Sequence, residues 1–188
     1  IPGNTNVYNK DYSSYSLEDV CLEMSSLGKG DIREPFIEVT YPNGSSTTDM
    51  VFDRAEIIQG KEEYDTLPGS YDDNGEVEQL VIYLKDRNYN LTLELHYYVY
   101  EKCDIITRSA KLVNSGNESV RLERLMSMQL DLNESDYELS FFNGAWAREM
   151  NRSRIPIRAG KYVNESVTGT SSNRANPFFM IGRSSTTE

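Results

Sequence analysis

The alternation of apolar and polar side chains in residues 91–100 constrains the fold more than any other feature of the sequence. One set comprises Leu91, Leu93, Leu95, Tyr97 and Val99, and the other comprises Thr92, Glu94, His96, Tyr98 and Tyr100. A period of two is that of a β-strand with one face on a core. Because a shift of one residue would exchange the faces, the pattern predicts that the first set faces a core. His96 is then expected to face outward or toward a groove.

Neighbouring segments show the same pattern and are separated by turn residues. Residues 77–84, 105–113 and 120–132 read as strands, with turns at 86–88 and 114–117. Together with residues 91–100 they predict at least four consecutive antiparallel strands. Residues 36–41 predict a further strand that ends at the tight turn Pro42-Asn43-Gly44, with residues 50–58 as its return strand.

Helical periodicity is weak throughout the chain. Only residues 16–24 could form a short helical turn, for which Ser16 is placed as a cap. The sequence therefore predicts an all-β protein with antiparallel sheets. We expect an exposed irregular arm at residues 1–15, a β-sandwich domain at residues 16–182 and a frayed tail at residues 183–188.

Composition limits the partners that the chain can bind. The formal net charge of −11 opposes binding to nucleic acid or to an anionic membrane surface. The sequence has no apolar run of the ~20 residues that a membrane helix needs. The 13 tyrosines and 6 phenylalanines supply apolar bulk that suits half-buried sheet surfaces.

Residues that could carry chemistry are scattered. His96 is the single histidine, which disfavours a histidine-based metal site or a catalytic base there. Carboxylates are frequent in turn-like segments, namely at Asp72, Asp73, Asp131, Glu134 and Asp136. Residues 168–172 contain no nucleophile-elbow pattern, and we recognise no phosphate-binding glycine loop. We therefore expect no catalytic residue, no metal and no cofactor in this chain.

The cysteines and glycosylation sequons bear on the cellular compartment. Cys21 and Cys103 are the two cysteines, too few for a disulfide framework, and we expect them to be reduced. Asn-x-Ser/Thr sequons occur at Asn43, Asn90, Asn117, Asn133, Asn151 and Asn164. In a secreted eukaryotic protein these would be glycan sites, whereas in a bacterial protein they arise by chance, which is the reading we prefer.

Several short motifs occur in a characteristic order along the chain. They are GDIREP at residues 30–35, GK at 60–61, LPGSY at 67–71, VYE at 99–101, IITRSA at 105–110, NSG at 114–116, FFNGAWARE at 141–149, GTSS at 169–172 and NPF at 176–178. In this order they resemble the N-terminal β-domain of glycoside hydrolase family 36, the bacterial α-galactosidases. One departure is residues 172–178, which lack the histidine and glutamine that the family often has.

The resemblance implies a fold and a setting. The domain would be an antiparallel β-supersandwich of the galactose mutarotase type, incomplete at its N-terminal end. It would pack against a C-terminal (β/α)₈ barrel, absent from this chain, that hydrolyses terminal α-1,6-galactosides such as melibiose and raffinose by a retaining mechanism. Family members are often homotetramers, in which a loop of this domain reaches a neighbour's active site. A cytoplasmic bacterial location is implied, with secretion as the alternative.

The same resemblance indicates an interface in the last third of the chain. Its expected residues, toward another domain or another subunit, are Trp146, Arg148, Glu149, Asn176 and Phe178. Gly144 would permit close backbone approach there, and Trp146 would supply contact area. Trp146 could instead stack on a sugar or be an ordinary core tryptophan.

Three functions remain open on the sequence alone. The first is a non-catalytic β-sandwich part of an α-galactosidase that serves barrel packing and oligomer contacts. The second is a free-standing carbohydrate-binding module that uses Trp146 and exposed tyrosines. The third and weakest is a mutarotase-like sugar epimerase, which by family resemblance needs two histidines plus an acid.

Overall fold

A computed structural model describes residues 20–133, 136–168 and 174–185. The predicted arm at residues 1–15 lies outside these ranges, as do residues 169–173 and 186–188. The described residues form two compact units, which divide between Asp131 and Leu132.

Nine β-strands are present in the described residues. They are β1 (Ile37–Thr40), β2 (Met50–Gln59), β3 (Glu78–Asp86), β4 (Leu91–Tyr100), β5 (Ile105–Asn114), β6 (Arg121–Leu125), β7 (Tyr137–Ala145), β8 (Arg148–Pro156) and β9 (Ala175–Arg183). The nine strands pair antiparallel. One turn of 3-10 helix at Glu101–Cys103 is the only helix in the described ranges, and it is too short to span a membrane. The predicted all-β antiparallel fold is confirmed.

The helical turn predicted at residues 16–24 is wrong where it can be checked. Residues 16–19 lie outside the described ranges, and residues 20–24 are not helical. A residue distant in sequence fixes the backbone there, because the Leu22 N–H donates a hydrogen bond to Asp131 Oδ2 at 2.9 Å. A weak local helical signal is overridden by this long-range contact.

A four-stranded sheet forms the centre of the first unit, in the order β2-β3-β4-β5. The strands predicted at residues 77–84, 91–100 and 105–113 are confirmed as β3, β4 and β5. The fourth member of the meander is β2, not the predicted strand at residues 120–132. That segment is ordered as a strand only over β6, which leaves the sheet and pairs elsewhere.

The partner of β6 is β1, and this pairing corrects the predicted hairpin. The turn after β1 exists, because the Gly44 N–H donates to the Tyr41 carbonyl at 2.9 Å. After this turn, however, the chain does not return along β1. Instead β2 pairs with β3, and β1 pairs with β6, where Ile37 lies opposite Leu125. Alternation identifies a strand and its buried face, but it carries no information on which strand lies beside it.

The core of the first unit lies between these two sheets. It consists of Phe36, Ile37, Val39, Tyr41, Leu91, Leu93 and Leu95, all buried. The prediction that the leucines of β4 face a core is therefore confirmed. Tyr97 is partly buried against the same core, whereas Val99 is 37% exposed. The core therefore ends before the last of the alternating residues of β4.

The second unit is a three-stranded sheet with β7 in the middle, in the order β8-β7-β9. On β7, Phe141 is buried and its ring centroid lies 4.6 Å from that of Tyr162. Arg183, which the sequence assigned to a frayed tail, is the last residue of β9 and lies opposite Tyr137. The regular structure therefore extends one residue further than expected.

Candidate functional site

The most exposed aromatic side chain in the described ranges lies at the tip of a hairpin. β7 and β8 are joined by the two residues Trp146 and Ala147, and Trp146 is 88% exposed. Ala147 has a φ of 59°, in the left-handed region, where the chain reverses direction between the two strands. This exposure makes the core-tryptophan reading wrong, and it leaves both the joint and the sugar-stacking readings open.

Gly144 sets the shape of this hairpin. A Cβ at this position would lie 2.2 Å from the carbonyl oxygen of Arg148 on the opposite strand. The register of β7 and β8 shifts between Asn143 and Ala145, so the hairpin contains a bulge next to the turn. Only a residue without a side chain fits this close approach.

The Glu149 side chain and the Arg148 carbonyl both accept hydrogen bonds that stabilise the turn. Glu149 Oε1 accepts a hydrogen bond from the Ala147 N–H at 2.8 Å. The Arg148 carbonyl accepts one from Asn151 Nδ2 at 2.7 Å. Both side chains are exposed, so the end of the hairpin carries Trp146 together with two charged groups.

Asn176 and Phe178 lie on the neighbouring strand at the same end of the sheet. Asn143 of β7 lies opposite Ala175 of β9, close to the hairpin tip. Asn176 Nδ2 donates to the Phe142 carbonyl at 3.3 Å, and Phe178 stacks on the Phe142 ring with centroids 4.8 Å apart. The structure thus brings all five predicted interface residues to one end of the three-stranded sheet.

A second surface, which the sequence analysis missed, lies on the face of the four-stranded sheet opposite the core. The segment 60–72 folds over this face. The Tyr64 hydroxyl lies 2.7 Å from the Tyr98 hydroxyl and 2.6 Å from Ser109 Oγ. Burial, together with the hydrogen bond to Tyr64, raises the pKa of Tyr98 well above its usual value.

His96 is buried beneath this covering segment, although it was expected to face outward or toward a groove. It is on the predicted face of β4, but only 5% exposed. Its Nδ1 lies 2.8 Å from Gln79 Nε2, and its Nε2 lies 3.2 Å from Glu94 Oε2. A groove opens beside it, so of the two expected positions, outward or toward a groove, the structure shows the second.

The types of residue on the polar face of β4 could have predicted that another segment, 60–72 in the structure, covers it. Tyr98 and Tyr100 follow His96 at alternate positions, and large rings on a solvated face expose much apolar surface. Gln79 is likewise a lone amide in an apolar strand. An amide side chain next to two tyrosines indicates that this face of the sheet is partly covered by another segment.

The carboxylates behave as turn and ion-pair residues. Asp72 Oδ1 accepts from the Glu76 N–H at 2.8 Å, as a turn residue does, and Asp131 pairs with Arg33. Within residues 20–133, 136–168 and 174–185, no three His, Cys, Asp or Glu side chains come together as a metal site would need. Glu134 lies outside these ranges.

Comparison with known proteins identifies relatives over nearly the whole chain. The glycosyl hydrolase family 36 N-terminal domain model matches residues 2–188. The α-galactosidase AgaA of Geobacillus stearothermophilus is 37% identical over 169 residues, which is 89% of this chain. Its crystal structure superposes with a TM-score of 0.87 at 35% identity over 91% of this chain.

A second solved relative belongs to a fused enzyme. The galactosidase domain of the α-galactosidase–sucrose kinase AgaSK, known from Mediterraneibacter gnavus, covers 100% of this chain with a TM-score of 0.89 and 33% identity. Variants of AgaA have also been solved in complex with stachyose and with raffinose. This chain spans about a quarter of these proteins, 23% of the AgaA sequence and 26% of the AgaSK galactosidase domain.

Proposed function

Because the chain belongs to the family of glycosyl hydrolase family 36 N-terminal domains, we propose that it is a non-catalytic β-sandwich part of a longer α-galactosidase. The supporting observation is the family match over residues 2–188 in a chain that spans only 23% of the AgaA sequence. The remaining three quarters of such a relative leave room for a separate catalytic domain.

The proposed partner is a C-terminal (β/α)₈ barrel in the same polypeptide. The barrel would hydrolyse terminal α-1,6-galactosides such as melibiose and raffinose, and this domain would meet galactosides only through it. The raffinose and stachyose complexes of AgaA variants support this substrate class. A homotetramer in the cytoplasm of a bacterium is the proposed assembly and location, with secretion as the alternative.

Within that assembly, we assign the hairpin tip to an interface with the barrel or with a neighbouring subunit. A tryptophan that is 88% exposed costs free energy in water, and the cost is removed when another surface covers it. Phe178, which is 43% exposed and stacks on Phe142, extends the apolar surface along β9. The interface therefore centres on an aromatic residue, as binding hot spots often do.

The test is Trp146→Ala in the full-length enzyme. Loss of a large side chain that is buried in the assembly should lower stability or weaken assembly by about 3 kcal/mol. Denaturation and sedimentation would measure the two effects. Val167→Ala is the matched control, because Val167 is 90% exposed and lies outside the strands of the second unit. Equal stability and assembly of the two variants would contradict the interface.

Activity of this chain alone gives an independent test. We expect no turnover of an aryl α-galactoside at high protein concentration. Turnover that survives repurification and follows the protein through a second column would contradict the non-catalytic role.

The carbohydrate-binding module remains the second candidate, because the exposed Trp146 ring could also stack on a sugar. Titration calorimetry with galactosides separates the two. Binding to this chain that disappears in Trp146→Ala would favour the module over the interface. The mutarotase-like epimerase is weaker, since the chain has one histidine and that chemistry by resemblance needs two.

A further inference from the structure

A groove of about 470 Å³ opens on the polar face of the four-stranded sheet, beside the covering segment 60–72. Its volume lies within the range of small-molecule sites in proteins. Residues 60–62 form one wall, and the cross-strand row Tyr83, Glu94 and Lys111 lies along the other side. All of these residues belong to the first unit, far in sequence from the hairpin at Trp146.

The floor of the groove is polar and rigidly held. Gln79 and His96 are 3% and 5% exposed and line it from adjacent strands. His96 Nδ1 lies 2.8 Å from the Gln79 amide, and its Nε2 lies 3.2 Å from Glu94 Oε2, so both ring nitrogens have a polar partner. The imidazole is thus fixed in orientation, as a group in a preformed site should be.

Formal charges in the groove cancel, although the whole chain carries −11. Lys61 and Lys111 are balanced by Glu62 and Glu94, and Lys111 Nζ lies 3.5 Å from Glu94 Oε2. A balanced site attracts neither anions nor cations strongly. It offers donors and acceptors side by side, which suits hydroxyl groups that do both.

We propose that this groove binds a neutral polyhydroxylated molecule the size of one hexose, either a free monosaccharide or one residue of an oligosaccharide. Glu94 and Lys111 bond its hydroxyls, while Ile58 and Val81 contact its C–H surface. The proposal stands whether or not the hairpin tip is an interface.

The composition of the chain provides one reporter for each surface. His96 is the only histidine and Trp146 the only tryptophan. In an untagged, ¹⁵N-labelled chain, the imidazole signals therefore report the groove and the indole signal reports the hairpin. Methyl α-galactoside, methyl α-glucoside and methyl α-mannoside are the neutral probes, and galacturonate is the charged comparison.

We expect at least one neutral hexoside to shift the imidazole signals saturably in the millimolar range, with the indole signal unmoved. Galacturonate should bind no more tightly than the matching neutral sugar. The proposal is overturned if no neutral hexoside moves the imidazole signals, if only the indole moves, or if galacturonate alone binds.

Two substitutions that spare the fold test the site itself. Lys111 is 56% exposed at its side chain, so Lys111→Met should fold normally and weaken binding roughly tenfold, the loss of one charged hydrogen bond. Lys85→Met is the matched control, because Lys85 is 53% exposed on the same face but pairs with Asp53 outside the groove. Equal affinities for the two variants would overturn the assignment of the groove.

Discussion

The hydroxyl of Tyr64 lies 2.7 Å from the hydroxyl of Tyr98, which joins a connecting segment to the centre of a sheet. The same Tyr64 oxygen is 2.6 Å from Ser109 Oγ on the next strand. Segment 60–72 is thus fixed across two strands at one point. Because the segment lies here, the face of the sheet around His96 is covered, and a groove remains between the segment and the neighbouring part of the sheet.

Tyr64→Phe should destabilise the chain by about 1–3 kcal/mol, because it leaves the Tyr98 and Ser109 hydroxyls without this partner. Urea denaturation would measure the loss, and hydrogen exchange should rise in residues 60–72. Tyr71→Phe is the control, since Tyr71 is 82% exposed and its substitution should change stability by less than about 0.5 kcal/mol. Equal effects of the two substitutions would contradict the role of Tyr64.

Stability should fall as the pH rises above about 10, the ordinary pKa of tyrosine. Burial, reinforced by the hydrogen bond to Glu23, raises the pKa of Tyr97 to about 12, and burial raises the pKa of Tyr98 as well. Above pH 10 the unfolded chain releases these protons while the folded chain retains them, so the unfolded state binds fewer protons and becomes favoured.

The measurement is the free energy of unfolding between pH 8 and about 12 in the parent chain and in Tyr97→Phe. The variant should lose less stability over this range, because one of the groups that drive the fall is gone. Parallel pH profiles in the two proteins would show that Tyr97 ionises as readily in the folded chain as in the unfolded one.

Gly144→Ala should destabilise the second unit by about 1–3 kcal/mol, since the added methyl group meets a backbone carbonyl that cannot move alone. Thermal unfolding followed by circular dichroism would detect it. Ala145→Ser, one residue along the same exposed hairpin, should cost less than about 0.5 kcal/mol. A fully stable Gly144→Ala protein would mean that the hairpin does not have the described bulge.

Thiol labelling of the unreduced, denatured chain should modify both Cys21 and Cys103, the two cysteines of the sequence. Both are exposed in the folded chain, so native labelling should also proceed. The expectation rests on the proposed cytoplasmic location, where thiols remain reduced. Mass spectrometry that finds no label would favour secretion and would make glycosylation of the sequons worth testing.

The sequence predicted what depends on local period and missed what depends on distant partners. The alternation in β4 identified Leu91, Leu93 and Leu95 as core residues, and they are 2%, 0% and 3% exposed. The same alternation placed His96 outward or toward a groove and could not choose between them, because a period of two says nothing about what lies above a face. The covering segment is irregular, and its contact through Tyr64 has no periodic signature.

The candidate interface was found for a different reason. Trp146 and Phe178 were selected through resemblance, not through any pattern that reveals exposure. The turn between β7 and β8 lacks the Asn-Gly or Asp-Gly pair that commonly marks a two-residue hairpin. The structure locates the turn, through the close approach of Gly144 to the Arg148 carbonyl on the opposite strand.

The pairing of β1 with β6 imposes an order on biosynthesis. Ile37 and Val39 are fully buried, yet their strand partners, Leu125 and Leu122, emerge from the ribosome more than eighty residues later. Until then, the hairpins β2–β3 and β3–β4 can form from neighbouring segments, while β1 has no strand to join. A nascent chain halted between these points displays an unpaired apolar strand, the kind of surface that chaperones bind. Emergence of the chain through Leu125 is therefore the step that completes the two-sheet core of the first unit.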